Sequence, residues 1–256
     1  MTRFFHSNLS ISAALFLLSV TLISMSGPVS NVSPGRSVGA DTMIAKDSTG
    51  YPEDSGYATS YLALGDSYTI GQSVPHKERY PFQTVDLLQK AGYRMRSADI
   101  IATTGWTTAD LMEGIKEKAP DNKYDLVSLL IGVNDQYQRR SLTEYRNHFT
   151  ILLKKSIKLA GNRPSRVFVL SIPDYSVTPF ANNYDRDKIS REIDMFNREN
   201  KRIAGMYKVN YLNITPESRK AFMNKSLVAY DDLHFSGKEY SIWASMLVPM
   251  ITKVLK

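Results

Sequence analysis

Cysteine is absent from all 256 residues. That single gap removes disulfides, thiol nucleophiles and cysteine-ligated metal sites, and it rules out a lipid anchor on a cysteine behind the leader. Stability must therefore come from a packed core, which a chain of this length can bury unaided as one domain. There is also no block of like charge. The formal charge is +7, but the lysines and arginines are spread along helical stretches; they read as solvated faces, with no nucleic-acid partner implied. Internal repeats at solenoid or propeller periods are missing as well. No run is long and apolar enough for a firm membrane span, the nearest being residues 11–23, which serines interrupt.

That run has Arg3 ahead of it and Ser24-Met25-Ser26 behind it. A positive start, an apolar centre and small residues at the end are the parts of an export signal, so residues 1–26 are expected to send the protein to the periplasm or outside the cell. The leader is then either cleaved or kept as an N-terminal anchor, with no other stable membrane partner. Residues 27–58 turn to Gly, Pro, Ser and Asp without apolar periodicity and read as a flexible linker. The folded domain is expected over 59–256.

Within it, short apolar runs alternate with amphipathic stretches. Strands are expected at 61–64, 94–102, 124–133, 166–173 and 209–214, and helices over 80–91, 107–118, 141–160, 187–206 and from 236 onward. Capping boxes mark two of the helix starts, Ser141 with Glu144 and Ser236 with Glu239, and Thr107 with Asp110 marks a third. Five strand-then-helix repeats imply an α/β fold: a three-layer α/β/α arrangement around a five-stranded parallel sheet with right-handed crossovers. In such a sheet the ligand crevice lies beyond the carboxyl ends of the strands. Ser67, Gly105 and Asn134 each fall at such an end.

Chemistry can be read from that coincidence. A serine hydroxyl needs a base, and the base needs a third group to hold its tautomer. Of the four histidines, His6 lies in the leader, His148 lies within a helix as a surface or packing residue, and His76 follows Ser67 in a loop as a second-choice base or substrate contact. His234 stands in Asp231-Asp232-Leu233-His234, just before a capped helix, where one backbone turn brings Asp231 against its ring. Negative charge on a tetrahedral intermediate needs donors. The N–H groups of Ser67 and Gly105 and the amide of Asn134 can supply them, although Gly105 and Asn134 are also ordinary turn residues when taken singly.

The chain resembles the SGNH, or GDSL, hydrolases, whose signature residues Ser, Gly, Asn and His occur in that order. The matching positions are Ser67 in Leu64-Gly65-Asp66-Ser67, Gly105 in Thr104-Gly105-Trp106, Asn134 in Gly132-Val133-Asn134-Asp135 and His234 in Asp231-Asp232-Leu233-His234. The resemblance implies a flavodoxin-like sheet and an esterase or lipase acting on small-molecule esters. It further implies a Ser67-His234-Asp231 triad, an oxyanion hole from Ser67, Gly105 and Asn134, and no metal or cofactor. Two positions depart from the usual pattern: Tyr68 often corresponds to Leu, and Phe235 to Pro. The elbow of the α/β-hydrolases fits less well, because Thr69 stands where Gly-x-Ser-x-Gly requires its second glycine.

Overall fold

The computed structural model describes residues 58–118 and 123–255. The expected leader, and the linker apart from its last residue, lie outside the described residues. The strands are β1 (Tyr61–Gly65), β2 (Asp99–Ala102), β3 (Leu126–Leu130), β4 (Val167–Leu170) and β5 (Asn210–Leu212). The helices, in chain order, are α1 (Ser67–Ile70), α2 (Tyr80–Lys90), α3 (Thr108–Lys118), α4 (Val133–Tyr137), α5 (Leu142–Leu159), α6 (Arg186–Met206), α7 (Thr215–Arg219) and α8 (Gly237–Leu255). All neighbouring strands run parallel, in the order β2-β1-β3-β4-β5. This is the flavodoxin-like order, with its crevice where the chain leaves β1 for one side and β3 for the other.

Burial explains why these segments are strands. β1, β3 and β4 are buried along their whole length, as expected when helices cover both faces of a parallel sheet. Ser128 is the one polar residue in β3, and the hydroxyls of Tyr61 (2.8 Å) and Tyr80 (3.2 Å) satisfy it. Against this sheet α2 packs with α8, while α5 packs with both α3 and α6. The aromatic side chains of Tyr80, Tyr240 and Trp243 meet between α2 and α8, with ring centroids 4.9 to 6.4 Å apart.

The four strands after β1 are shorter than their apolar runs suggest. Residues 94–98 precede β2, and Met95 makes only an isolated bridge to Thr59. The apolar run through β3 ends early because Gly132, at φ +128°, turns the chain into α4. The loop expected from 174 to 185 is wound into two 3-10 turns, Tyr175–Val177 and Pro179–Asn183.

Of the three helix starts with an expected side-chain cap, two form as expected, and α6 adds another. Thr107 and Asp110 bond reciprocally, Ser141 accepts from the N–H of Glu144, and Asp185 accepts from that of Lys188. At α8 only half of the expected box forms. The N–H of Glu239 reaches Ser236 Oγ at 3.5 Å, but its carboxylate turns inward instead of back to the helix start. There Oε1 accepts from the indole N–H of Trp243 at 2.7 Å, and Oε2 is buried without a partner.

That burial pushes the Glu239 carboxyl up to about 7. Since the unfolded carboxyl titrates near 4.5, the folded chain holds the extra proton between these two values, and stability falls as pH rises across that window. Glu239→Gln keeps the acceptor for Trp243 and removes the ionisation. Thermal melts are expected to show the variant's Tm above wild type at pH 8 and converging with it near pH 4.5; parallel Tm curves would contradict the assignment.

Candidate active site

Ser67 enters the site through a strand and a turn. β1 ends at Gly65, and Asp66 caps α1 by accepting the Tyr68 N–H at 3.0 Å, so Ser67 becomes the first residue of that helix. Its own N–H has no partner among the described residues. Asp66 is almost fully buried, and burial, with Asp135 nearby, outweighs the bond from Tyr68 and pushes its carboxyl up to about 8. It is therefore held neutral at pH 7, which keeps a second negative charge away from the Ser67 turn.

The loop carrying His234 is folded back on itself. Val228 bridges Phe235, the Ala229 N–H donates to the His234 carbonyl at 2.8 Å, and Asp232 takes a left-handed φ of +62°. Asp231 thereby meets the imidazole, with Nδ1 2.6 Å from Oδ2. Its other oxygen, Oδ1, accepts the N–H groups of Leu233 and His234 at 3.1 and 2.9 Å. A fourth bond comes from Ser73, whose hydroxyl donates to Oδ2 at 2.5 Å. Burial opposes ionisation of Asp231, but the bonds from Ser73, from the His234 backbone and ring and from Leu233 outweigh it and hold the carboxyl below its usual range.

Ser67, Asn134 and His234 line one cavity of about 260 Å3 with Tyr68, Val133, Tyr137, Tyr175, Phe180 and Leu233. Neither Ser67 Oγ nor His234 Nε2 is bonded to another described group, so both are available to a ligand. Asn134 donates to the Trp106 carbonyl at 2.9 Å, which fixes its amide against the loop after β2. Gly105 lies on that loop, exposed and outside the cavity lining. A Cβ there would meet nothing within 4 Å, so it is the φ of +85°, in the turn closed by Trp106 N–H to Thr103, that suits glycine. The Gly105 N–H also has no described partner.

The other two described histidines stand apart from this cavity. His76 stacks on Phe82, with ring centroids 3.7 Å apart, and His148 lies 3.3 Å from the Thr108 hydroxyl on α3. The two departures from the usual pattern form one contact: the Tyr68 ring packs against both His234 (5.6 Å) and Phe235 (5.7 Å). Tyr68 therefore shapes the cavity and braces the imidazole, while Phe235 lies fully buried behind it.

The cavity's aromatic wall is anchored from below. Buried Asp174 accepts from Ser176, from Ser190 and from Arg219 Nε at 2.8 Å, which pins the turn bearing Tyr175. The Phe180 N–H donates to the Asp232 carbonyl at 2.9 Å, tying this wall to the histidine loop. Arg139 lines an adjoining cavity that shares Tyr137 and Tyr175, whereas Arg140 pairs with Glu144 at 3.6 Å. Sequence reasoning missed Ser73. A small polar residue at left-handed φ (+66°) between Ser67 and the next helix was the available signal, but it does not show in a sequence.

A hydroxyl and an imidazole lining one cavity, the imidazole held by a carboxylate, are the groups that nucleophilic catalysis by serine uses. The chain from residue 63 to 242 matches the model of the GDSL-like lipase/acylhydrolase family, and it belongs to that family of ester-cleaving hydrolases. Solved structures share the fold. One is the lipase/acylhydrolase from Enterococcus faecalis, with TM-score 0.61, 17% identity and coverage of 76% of this chain and 96% of that one. Another is the acetylxylan esterase Axe2 from Geobacillus stearothermophilus, with TM-score 0.60, 22% identity and coverage of 75% and 94%. The esterase EstA from Pseudoalteromonas sp. gives TM-score 0.59, 16% identity and coverage of 77% and 98%. No curated protein sequence matches the chain.

Ser73 touches Asp231, so if that carboxylate orients His234 in catalysis, Ser73 acts by positioning it. A hydrogen bond to a charged group contributes about 1.5–3 kcal/mol, so Ser73→Ala is expected to lower kcat for an aryl ester roughly tenfold or more with KM little changed. A rise in KM at unchanged kcat would contradict this role.

Proposed function

We propose that the protein hydrolyses carboxylic esters through Ser67, His234 and Asp231. Ser67 Oγ attacks the ester carbonyl while His234 Nε2 takes its proton; Asp231 holds the ring so that Nδ1–H faces the carboxylate and Nε2 is free to accept. The tetrahedral oxyanion is received by the N–H groups of Ser67 and Gly105 and by the Asn134 amide, whose orientation Trp106 fixes. Collapse breaks the C–O bond, and His234 returns the proton to the departing alcohol. Water, deprotonated by the same nitrogen, then releases the acid and restores Ser67. Catalytic bonds commonly tighten only in the reactive complex, and the Ser67–His234 bond belongs to that stage.

The observation that carries this reading is the Asp231–His234 contact at 2.6 Å on a cavity also lined by Ser67 and Asn134. The site needs no metal or cofactor in this scheme. A lining that is mostly aromatic and aliphatic, in a volume below the usual range for ligand pockets, suits a short acyl group. The alcohol half meets the exposed edge of Tyr137 and the stacked pair Phe180 and Tyr184, 5.4 Å apart. An acetylated saccharide joins a short acyl group to such a polar alcohol, whereas a lysophospholipid offers the polar alcohol with a long acyl chain. Likeness in fold to an acetylxylan esterase agrees with the first. Export to the periplasm or beyond completes the proposal, on the pattern of the leader alone.

Ser67→Ala is expected to lose roughly a thousandfold or more of the turnover of a simple aryl ester, with the far-UV spectrum unchanged. A series of acyl chains, run beside acetylated saccharides and lysophospholipids, should peak at short chains. Full turnover by the variant would refute the nucleophile, and a peak at long chains would refute the acyl assignment.

A further inference from the structure

A second, larger cavity of about 470 Å3 is lined by Ser73, the residue bonded to Asp231. Its lining includes Gly71, Gln72, Ser73, Tyr230 and Arg79, and among its lining residues Arg79 alone is charged. Two of its walls are shared with the machinery already described. Ser73 donates to Asp231, and Gln72 Oε1 accepts from Thr104 at 2.7 Å on the loop that carries Gly105.

Arg79 is the half-buried cation of this cavity. Its side chain makes no ion pair and no hydrogen bond with any described residue, and its Nε is buried without a partner. A guanidinium presents five donors, and leaving them unmet in a partly desolvated place is costly unless something else fills them. Neither carboxylate of the neighbouring segments pairs with it: Asp231 has four bonds of its own, and the Glu78 carboxylate sits beside Gly237 with no ion pair to Arg79. The seat is shaped for this side chain. Gly71 has φ +68°, and a Cβ there would come within 2.3 Å of Arg79 Cγ and 2.9 Å of Cδ, so any larger residue would displace the arginine stem.

We infer that this cavity is an anion subsite, in which Arg79 binds a phosphate or carboxylate carried by the alcohol half of the ester. An arginine fork matches the paired oxygens of either group. Placement on the alcohol side follows from the proposed reaction, because the leaving oxygen must receive its proton from His234 and therefore departs past that residue. The assignment of the anion to the substrate rests on the esterase reading; the affinity of Arg79 for anions does not.

The test uses acetyl esters of glycerol and of glycerol phosphate, identical but for the phosphate group, and a lysophospholipid. Wild type is expected to prefer the charged ester, and Arg79→Gln to lower the ratio of kcat/KM for charged over neutral ester roughly tenfold or more, as loss of a charge-assisted bond implies. Arg79→Lys, which keeps the charge and loses the fork, should fall between. A fall in the ratio for the glycerol phosphate ester identifies a soluble phosphate as the ligand, and a fall with the lysophospholipid a lipid headgroup. A ratio unmoved in both, or no preference in wild type, overturns the subsite. In parallel, inorganic phosphate at low ionic strength should raise the Tm of wild type more than that of Arg79→Gln. If no ester is cleaved by any form, the esterase reading fails, and this melting comparison still decides the anion site: equal shifts refute it.

Discussion

Four bonds converge on the Asp231 carboxylate, and the geometry of the site follows from them. Two backbone N–H groups of its own loop and one serine hydroxyl orient the acid before the imidazole is considered. Held in this way, the carboxylate stays ionised despite partial burial and dictates which nitrogen of His234 carries the proton. Asp66, next to Ser67, is the counterpart. It is more deeply buried, with a carboxyl pushed up to about 8 and neutral at physiological pH. Two aspartates of one site are thus set to opposite charge states by their surroundings, which is how acid and base roles are separated in many enzymes. The negative charge lies behind the imidazole, where it favours a cation, and not beneath the serine, where it would oppose an oxyanion.

The sheet makes this convergence possible. β1, β2 and β3 are adjacent and parallel, so the loops leaving their carboxyl ends open on the same rim. Each loop then uses a different local device: a capped short helix for Ser67, a glycine turn after β2 and a short helix for Asn134. His234 arrives from the far end of the chain and is braced by the packing of Tyr68 on its ring and by Phe235 and Trp243 behind. Because α8 starts immediately after this loop and packs along α2, core stability and placement of the imidazole are coupled.

Much of this architecture was legible in the residues. Apolar runs ending in Gly-Asp-Ser, Thr-Gly-Trp and Gly-Val-Asn-Asp marked the strand ends, and local hydrogen-bond chemistry at Thr107 and Ser141 marked helix starts, whereas the Asp185 cap went unread. What stayed hidden depended on tertiary context. Glu239 satisfies the capping pattern by type, yet a buried indole N–H outcompeted the helix start for its carboxylate. Strand limits depend on which neighbours pair, so the apolar run of 94–102 overstates β2. Ser73 and Arg79 have no motif at all, because their roles arise from contacts across 158 residues in the first case and from an absence of partners in the second.

The account's central claim is that Ser67 is a nucleophile activated by the Asp231-held imidazole. A fluorophosphonate that phosphonylates activated serines tests it without reference to any natural substrate, with intact mass and peptide mapping as the readout. One adduct per chain, on Ser67, is predicted, forming roughly a thousandfold or more slowly in His234→Ala. No adduct on Ser67, or equal rates of labelling in the two proteins, would contradict the account.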